Sequence, residues 1–413
     1  MVNKLQVPFF RPSLEEQEVN EVVETLRSGW LTSGPKVKRF EDGFAAAVGA
    51  ENAVALNSCT AALHLAVEAL GLKAGQCVLV PTMTFAATAE VVRYQGAIPI
   101  LVDCDPVTLN MDLDDAARKI QKHQPANSGD GQNGKPSRVV GIIPVHVGGL
   151  MMDLDRLQAF ARKHKLWIVE DAAHAFPAAW RSGAEQPWRH RSNGSSTVTC
   201  YSFYANKTIT TGEGGMAVTS NAKLAQRMRM MSLHGLSHDA WGRYSANGSW
   251  DYKIVAPGYK YNLTDIAAAL GIHQLGRAEA MRSEREAIAR RYAEALAGVE
   301  EIELPPNSEG GGADRLHSWH LFAIKLMLKR LAINRDEFIN KLKRAGVGCS
   351  VHWRPLHLHP YYQQTMGFKA KDFPAATATW KRVISLPIFP GMRDDEIEQV
   401  ISTVKRICKR HAR

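Results

Sequence analysis

No run of apolar residues in this 413-residue chain approaches the roughly 18 needed to cross a bilayer. Cysteine is scarce: six residues (Cys59, Cys77, Cys104, Cys200, Cys349 and Cys408), none in a CxxC pair. That argues against a zinc ribbon or a disulfide framework and makes a reducing cytoplasm the expected compartment. Residues 1–16 lack the apolar stretch and small-residue cleavage site of a secretory signal. Repeats and low-complexity blocks are absent too. A 45% hydrophobic and 22% charged composition is ordinary for a globular protein and excludes a disordered chain or a collagen. What is present in excess is positive charge, 51 Lys+Arg against 41 Asp+Glu, for a net +10. Its densest cluster is Lys405, Arg406, Lys409, Arg410 and Arg413. These read as the solvated last turn of a helix, cations near the negative dipole end. No binding motif accompanies them, so neither nucleic acid nor a membrane surface is an expected partner.

Length allows two or three domains at roughly 100–200 residues each. A helix is predicted after Ser13, which with Glu16 makes a capping-box pattern. Val19, Val22, Val23 and Leu26 recur at helical spacing, and Gly29 ends it. A second helix is predicted over residues 60–70. Strands are predicted over 78–81, 98–103, 139–146 and 167–171, with helices over 86–94 and 154–164 between them. Such alternation predicts a largely parallel α/β sheet with helices on both faces. Two later strands, 197–203 and 215–220, are separated only by residues 204–214, too short a stretch for a helical crossover. The second of them is therefore expected to run antiparallel. Residues 124–138 and 181–196 read as surface loops. A charged helix over 276–298 and a Pro/Gly-rich stretch over 304–313 precede a smaller α+β domain. That domain is predicted to hold strands at 319–326 and 347–353, a helix at 335–345 and a last helix from about Arg393.

The chemistry concentrates in four places. Ser202-Phe203-Tyr204-Ala205-Asn206-Lys207 puts a lysine in a short polar loop, followed by Gly212, Gly214 and Gly215. An amine held on a rigid scaffold can attack a carbonyl, although a loop lysine alone is usually a solvated cation. Asp171 closes a buried strand, where ligands of parallel sheets collect. It can pair with a protonated pyridine nitrogen, and it reads equally as the N-cap of a following helix. Asn57-Ser58-Cys59-Thr60-Ala61-Ala62 opens a helix whose amides suit a phosphate, or are merely capped. Phe85 can stack on a planar ring or fill the core. Their order and types together suit one phosphorylated aromatic aldehyde, pyridoxal 5'-phosphate.

With those residues in view, the chain resembles the DegT/StrS family of pyridoxal-phosphate-dependent sugar aminotransferases. The resemblance runs through residues 28–35, 58–63, 81–85, 170–175, the Lys207 loop and 257–265. The DAAHA and GYKYNLTDI segments are similar to the branch that makes UDP-4-amino-4-deoxy-L-arabinose. The resemblance implies the type I aminotransferase fold: a large domain (1–270) with a mostly parallel seven-stranded sheet sandwiched by helices, and a small domain (271–413). It also implies transfer of nitrogen from L-glutamate, released as 2-oxoglutarate, to a nucleotide-linked 4-keto sugar. Lys207 would hold the cofactor covalently and shuttle the proton, and Asp171 would hold the ring nitrogen. His174 would lie near the ring with Phe85 stacked on it, and Thr60, Ala61 and Ser202 would bind the phosphate. Lys260 and Asn262 would reach the neighbouring site across a homodimer interface. Trp30, Leu31, Thr32 and His352 would border the sugar.

Cys59 departs from the family's usual glycine, Phe176-Pro177 departs after DAAHA, and the 181–196 loop is longer than usual. Lys207 separates the chain from relatives that dehydrate, which carry histidine there. A regulatory or nucleic-acid-binding protein without transaminase activity is the alternative from another class. A metal site at His352, His357 and His359 has no known ligand spacing, and none is expected.

Overall fold

The computed structural model describes residues 5–123, 138–237, 253–306 and 314–413. In chain order it contains α1 (Glu16–Ser28), α2 (Pro35–Ala47), β1 (Asn52–Leu56), α3 (Cys59–Ala69), β2 (Cys77–Pro81), α4 (Ala87–Tyr94), β3 (Ile98–Val102), α5 (Leu113–His123), β4 (Val139–Ile142), α6 (Leu154–His164), β5 (Trp167–Asp171), β6 (Ala179–Trp180), β7 (Thr197–Ser202), β8 (Gly215–Thr219) and α7 (Ala222–Met231). These are followed by α8 (Asp265–Gly276), α9 (Ala278–Leu296), β9 (Ile302–Glu303), β10 (Arg315–Leu316), β11 (Phe322–Leu326), α10 (Arg335–Arg344), α11 (Pro360–Met366), α12 (Pro374–Trp380), β12 (Val383–Leu386) and α13 (Asp394–His411).

Seven strands form one sheet in the order β1-β8-β7-β5-β4-β2-β3. The apolar run of β2 is buried along its length, and β7 is buried up to Ser202, as strands covered by helices on both faces must be. β2, β3, β4, β5 and β7 pair in parallel. β8 runs antiparallel to both β7 and β1, as the short connection before it requires. Residues from α3, α4 and the central strands share one core, and a second apolar layer around Phe40, Phe44, Tyr201 and Phe203 covers the opposite side.

The C-terminal part builds a three-stranded antiparallel sheet, β12-β11-β9, whose core includes Phe322, Phe338 and Phe389 with Tyr292 from α9. The apolar layers divide within α9, since Ala278 and Met281 pack with the large sheet and Ile288 onward with the small one. Residue 270 itself lies inside α8. Val7, near the other end of the chain, joins the small core and bonds Gly346 and Gly348 through its backbone.

Several expectations need correcting. The cap of α1 is Glu15 with Glu18, not Ser13 with Glu16. The helix also buries a different face: Glu18, Glu21 and Thr25 are buried, Val22 and Val23 are half-buried, and Val19 is 48% and Leu26 52% exposed. The cause is α8 and the residue that follows it: Gln274 and His273 on the helix, and Arg277 just beyond, meet those carboxylates. Paired acids can be buried where an apolar face would meet polar groups. Residues 347–353 form no strand. Val347 and Ser350 make only single bridges, to Val7 and Ser385, and the segment then departs with His352 and Trp353. The strand expected from 319 begins at Phe322, because Trp319 turns with φ +50°. The strand expected over 139–146 ends at Ile142. The 181–196 loop is not wholly superficial: Arg191 and Ser192 are buried, and the Ser192 N–H donates to Glu170 at 2.7 Å. Nearly all of the 124–138 loop, and most of the 304–313 stretch, lie outside the described residues.

Candidate active site

Lys207 sits in the loop that leaves β7 and returns as β8. The loop is braced by its own hydroxyls. Thr210 Oγ1 donates to the Phe203 carbonyl at 2.9 Å, and Thr211 Oγ1 donates to the Glu213 carbonyl at 2.7 Å. The Thr210 N–H donates to Gln274 Oε1 at 3.2 Å, anchoring the loop to α8. Tying a connection down in this way lets a side chain be aimed rather than merely displayed. Lys207 reaches a cavity of about 620 Å³ between the large sheet and the 350–353 segment. Burial disfavours the ammonium and lowers the Lys207 pKa to about 8, and the nearby Arg285 charge acts in the same direction.

Asp171 closes β5 in the same cavity. No helix follows directly, so its side chain is not an N-cap. Instead Oδ2 accepts from Thr88 Oγ1 at 2.7 Å and Oδ1 accepts from the Ala173 N–H at 3.2 Å. Burial raises the Asp171 pKa, while these two donors and the Lys207 charge oppose the rise. Behind it, Glu170 pairs with His146 at 3.0 Å in full burial. Burial pushes the Glu170 carboxyl up, but His146, the Ser192 N–H and Thr199 outweigh it and hold the pKa below the ordinary value.

The N-terminus of α3 opens toward this cavity through Ser58, Cys59 and Thr60. Ser58 Oγ caps the helix by accepting from the Ala61 N–H at 3.1 Å. The Ala61 amide is therefore engaged, and Ala61 stands behind the cavity wall. The N–H groups of Cys59 and Thr60 belong to the first turn, which has no intrahelical acceptors. This helix start lies against β8 only because residue 215 is glycine: a Cβ there would fall 2.3 Å from the Ser58 carbonyl carbon.

Three histidines stand beside Lys207. His174 and His320 have ring centroids 4.2 Å apart, and His352 lies 6.2 Å from His174. The Gly148 N–H donates to His174 Nδ1 at 3.3 Å, which leaves the ring proton on Nε2. Burial, with Lys207 adjacent, holds His174 and His320 well below the ordinary imidazole range and brings His352 to about 4. Trp353 stacks on His174 at 5.0 Å and forms part of the wall.

Of the residues singled out in the sequence, Thr60, Phe85, Asp171, His174, Ser202, Lys207 and His352 line this one cavity. Phe85 is 63% exposed at its rim. Lys260 and Asn262 bond each other elsewhere, and Asn262 Nδ2 donates to Ser33 Oγ at 2.8 Å. Asn262 and Trp30 line a different cavity of about 410 Å³. Leu31 is exposed, and the Thr32 carbonyl accepts from the Asp265 N–H at 3.1 Å. Within one chain, these five residues are apart from Lys207. His357 is stacked on Phe373 between Thr82 and Thr377, and His359 bonds the Arg354 carbonyl, so the three C-terminal histidines do not converge. Tyr204, Asn206, Glu213 and Trp353 also line the cavity. Their only sequence signal was proximity to Lys207, Gly214 or His352.

The cavity suits pyridoxal phosphate on its own chemistry. It offers an amine depressed toward neutrality, a buried acid for a ring base and free helix-start amides for a phosphate. The Asn206 Oδ1, buried without a partner among the described residues, adds a polar contact to spare. A mostly parallel sheet with one antiparallel strand, a lysine loop leading into that strand and an acid at a parallel strand end define a pyridoxal-phosphate-dependent aminotransferase fold. The chain belongs to the DegT/DnrJ/EryC1/StrS aminotransferase family, which matches residues 12–405. It is 42% identical over 405 residues to the spore coat polysaccharide biosynthesis protein SpsC of Bacillus subtilis, covering 98% of this chain and 97% of the relative. It is 43% identical over 407 residues to an uncharacterized protein of Methanocaldococcus jannaschii, covering 98% and 99%. Among solved structures, the putative sugar aminotransferase Spr1654 from Streptococcus pneumoniae superposes with a TM-score of 0.84 at 32% identity, covering 98% of this chain and 99% of that one. That protein is known with pyridoxal phosphate, with pyridoxamine phosphate and without either. DesV of S. venezuelae gives 0.80 at 28% identity over 95% of each chain. The protein is a pyridoxal-phosphate-dependent sugar aminotransferase.

Proposed function

We propose that the protein transfers an amino group from L-glutamate to a nucleotide-linked keto sugar, a UDP-4-keto sugar, in the making of a cell-surface polysaccharide. The observation that carries the reading is the meeting of Lys207, Asp171 and the open start of α3 in one cavity. The part that SpsC plays in spore coat polysaccharide biosynthesis supports the product class. When bound, pyridoxal phosphate supplies a ring that delocalises the charge left on carbon after a proton is removed.

The residues divide the work. Lys207 would hold the cofactor and, as a neutral amine, would carry the proton that the reaction moves. General acid–base transfer of this kind is worth roughly 10²–10⁴-fold in rate. Asp171, held by Thr88, would pair with the ring nitrogen and keep its proton in place. The amides of Cys59 and Thr60 and the hydroxyl of Ser202 would receive the phosphate, with Ala61 contributing through the helix turn that Ser58 caps on its N–H. Phe85 and His174 flank the ring, and His352 borders the sugar. Among its lining residues the cavity holds no arginine and, besides Lys207, no lysine, although both substrates are anions. We therefore place Lys260 and Asn262, with Trp30, Leu31 and Thr32, at the neighbouring site of a homodimer, where a second copy completes each cavity. Among the described residues no helix is long and apolar enough to cross a membrane, and we assign the enzyme to the cytoplasm.

The test offers the pyridoxamine-loaded enzyme a panel of nucleotide keto sugars and follows return of the aldehyde absorbance. Return with UDP-4-keto sugars, and reloading by glutamate rather than other donors, is the expected result. Return with free keto sugars alone removes the nucleotide from the proposal.

A further inference from the structure

We infer that His320 is the positioning residue of Lys207: its Nε2 accepts a hydrogen bond from the lysine ammonium and fixes where the amine stands at the cavity wall. The two atoms are 3.4 Å apart, and no other hydrogen-bond partner for Nζ exists among the described residues. His320 is buried and is not among the residues lining the cavity, so it acts through Lys207 rather than on substrate.

The chain goes to some trouble to aim this ring. Trp319, next to it, is a non-glycine residue held at φ +50°, a conformation that side chains disfavour. Its carbonyl accepts from Arg285 Nη1 at 3.2 Å, and the same nitrogen donates to the Ile388 carbonyl at 2.7 Å. Ser318 Oγ donates to the His174 carbonyl at 2.6 Å, and the Ser318 N–H donates to the Gly149 carbonyl at 3.2 Å. That approach needs glycine at 149, because a Cβ there would fall 1.9 Å from Ser318 Oγ. The Leu321 N–H donates to the Gly148 carbonyl at 3.1 Å, closing the clamp on the far side of His320. Bonds on both flanks thus hold a strained turn that sets the His320 ring against His174 and brings its Nε2 to Lys207.

The surrounding charges set the direction of the hydrogen bond. Around Lys207 stand Asp171 at the end of β5, Cys59 on α3, Arg285 on α9, and the rings of His174, His320 and His352. Burial keeps all three imidazoles uncharged, so a lone pair is available to the ammonium. Arg285 is a buried cation whose hydrogen bonds go to backbone carbonyls, and it repels any further proton on the histidine. With Nε2 accepting, the ring proton lies on Nδ1, which has no partner among the described residues. A merely structural histidine would be expected to satisfy that atom; this one forgoes it and keeps the contact with Nζ.

A hydrogen bond to the charged form favours it. His320 therefore holds the Lys207 pKa above where burial and Arg285 would otherwise take it. The experiment measures the pH dependence of acetylation of residue 207 by acetic anhydride in the full-length chain freed of cofactor, read by peptide mass spectrometry. The wild-type midpoint is expected near 8. His320→Asn stays polar but is too short to reach Nζ, and should lower the midpoint by about one pH unit. His320→Gln can place an oxygen near the Nε2 position and should restore it. Midpoints that agree in all three proteins, that move equally in both variants, or that rise in His320→Asn overturn the proposal. Nitrogen NMR of the wild-type imidazoles tests it without any variant: a neutral ring protonated at Nδ1 supports it, and one protonated at Nε2 overturns it. The inference rests on Lys207 being the amine that holds the cofactor. Borohydride reduction of the loaded enzyme and peptide mapping decide that separately: a label at 207 leaves the midpoints as sole judge, and a label elsewhere overturns both readings.

Discussion

At position 207 burial changes what an amine can do. A lysine in water keeps its proton far above neutral pH, which leaves little free amine to attack. Here the pKa falls to about 8, so the neutral, nucleophilic form is within reach of physiological conditions. The sign follows from the direction of the shift. Below pH 8 each unit of acidity removes about tenfold of the free amine, and above it the gain levels off. Uptake of pyridoxal phosphate by the cofactor-free chain, followed by visible absorbance, should therefore quicken about tenfold per unit up to about pH 8 and then flatten. A rate still climbing steeply toward pH 10 would mean that the amine is not desolvated as described. Asp171 shows the opposite case. Its burial favours the neutral acid, and a cationic ring base placed against it would draw it back to the carboxylate.

At the scale of elements, the phosphate end of the site depends on how closely α3 approaches β8. Gly215→Ala puts a Cβ into backbone, where no flexible side chain can yield. We expect a loss of about 1–3 kcal/mol in denaturant-measured stability, the usual range for overpacking. Cofactor affinity should fall with it, because the Cys59 and Thr60 amides are displaced together. An unchanged cofactor titration in a folded Gly215→Ala protein would separate that contact from phosphate binding. Much at this scale could be read directly along the chain. β5 spans residues 167–171 and α6 spans 154–164 as expected, and β8 is antiparallel for the reason its short connection implied. α1 could not be read in the same way. Its valines keep helical spacing, yet the buried face carries glutamates whose partners include Gln274 and His273, more than 200 residues away on α8.

For the whole molecule, the separation of Lys260, Asn262 and Trp30 from the Lys207 cavity has a quantitative consequence if two copies share sites. Mixing Lys207→Ala with Lys260→Ala subunits, each inactive alone, should regenerate about a quarter of wild-type activity: half the dimers are mixed, and each mixed dimer holds one intact site. Activity that stays at zero after subunit exchange, shown by co-purification of differently tagged copies, would count against shared sites. The sequence by itself determined the alternation of strands and helices and the chemical types at 171, 174, 202 and 207, because periodicity and motif are local properties. It also carried the family resemblance. The tertiary structure alone decided which side of α1 faces inward, where residues 347–353 travel, and that His320 meets Lys207 across more than 100 residues of chain. Those outcomes depend on which groups arrive opposite one another once the sheet has closed, and no local pattern records that.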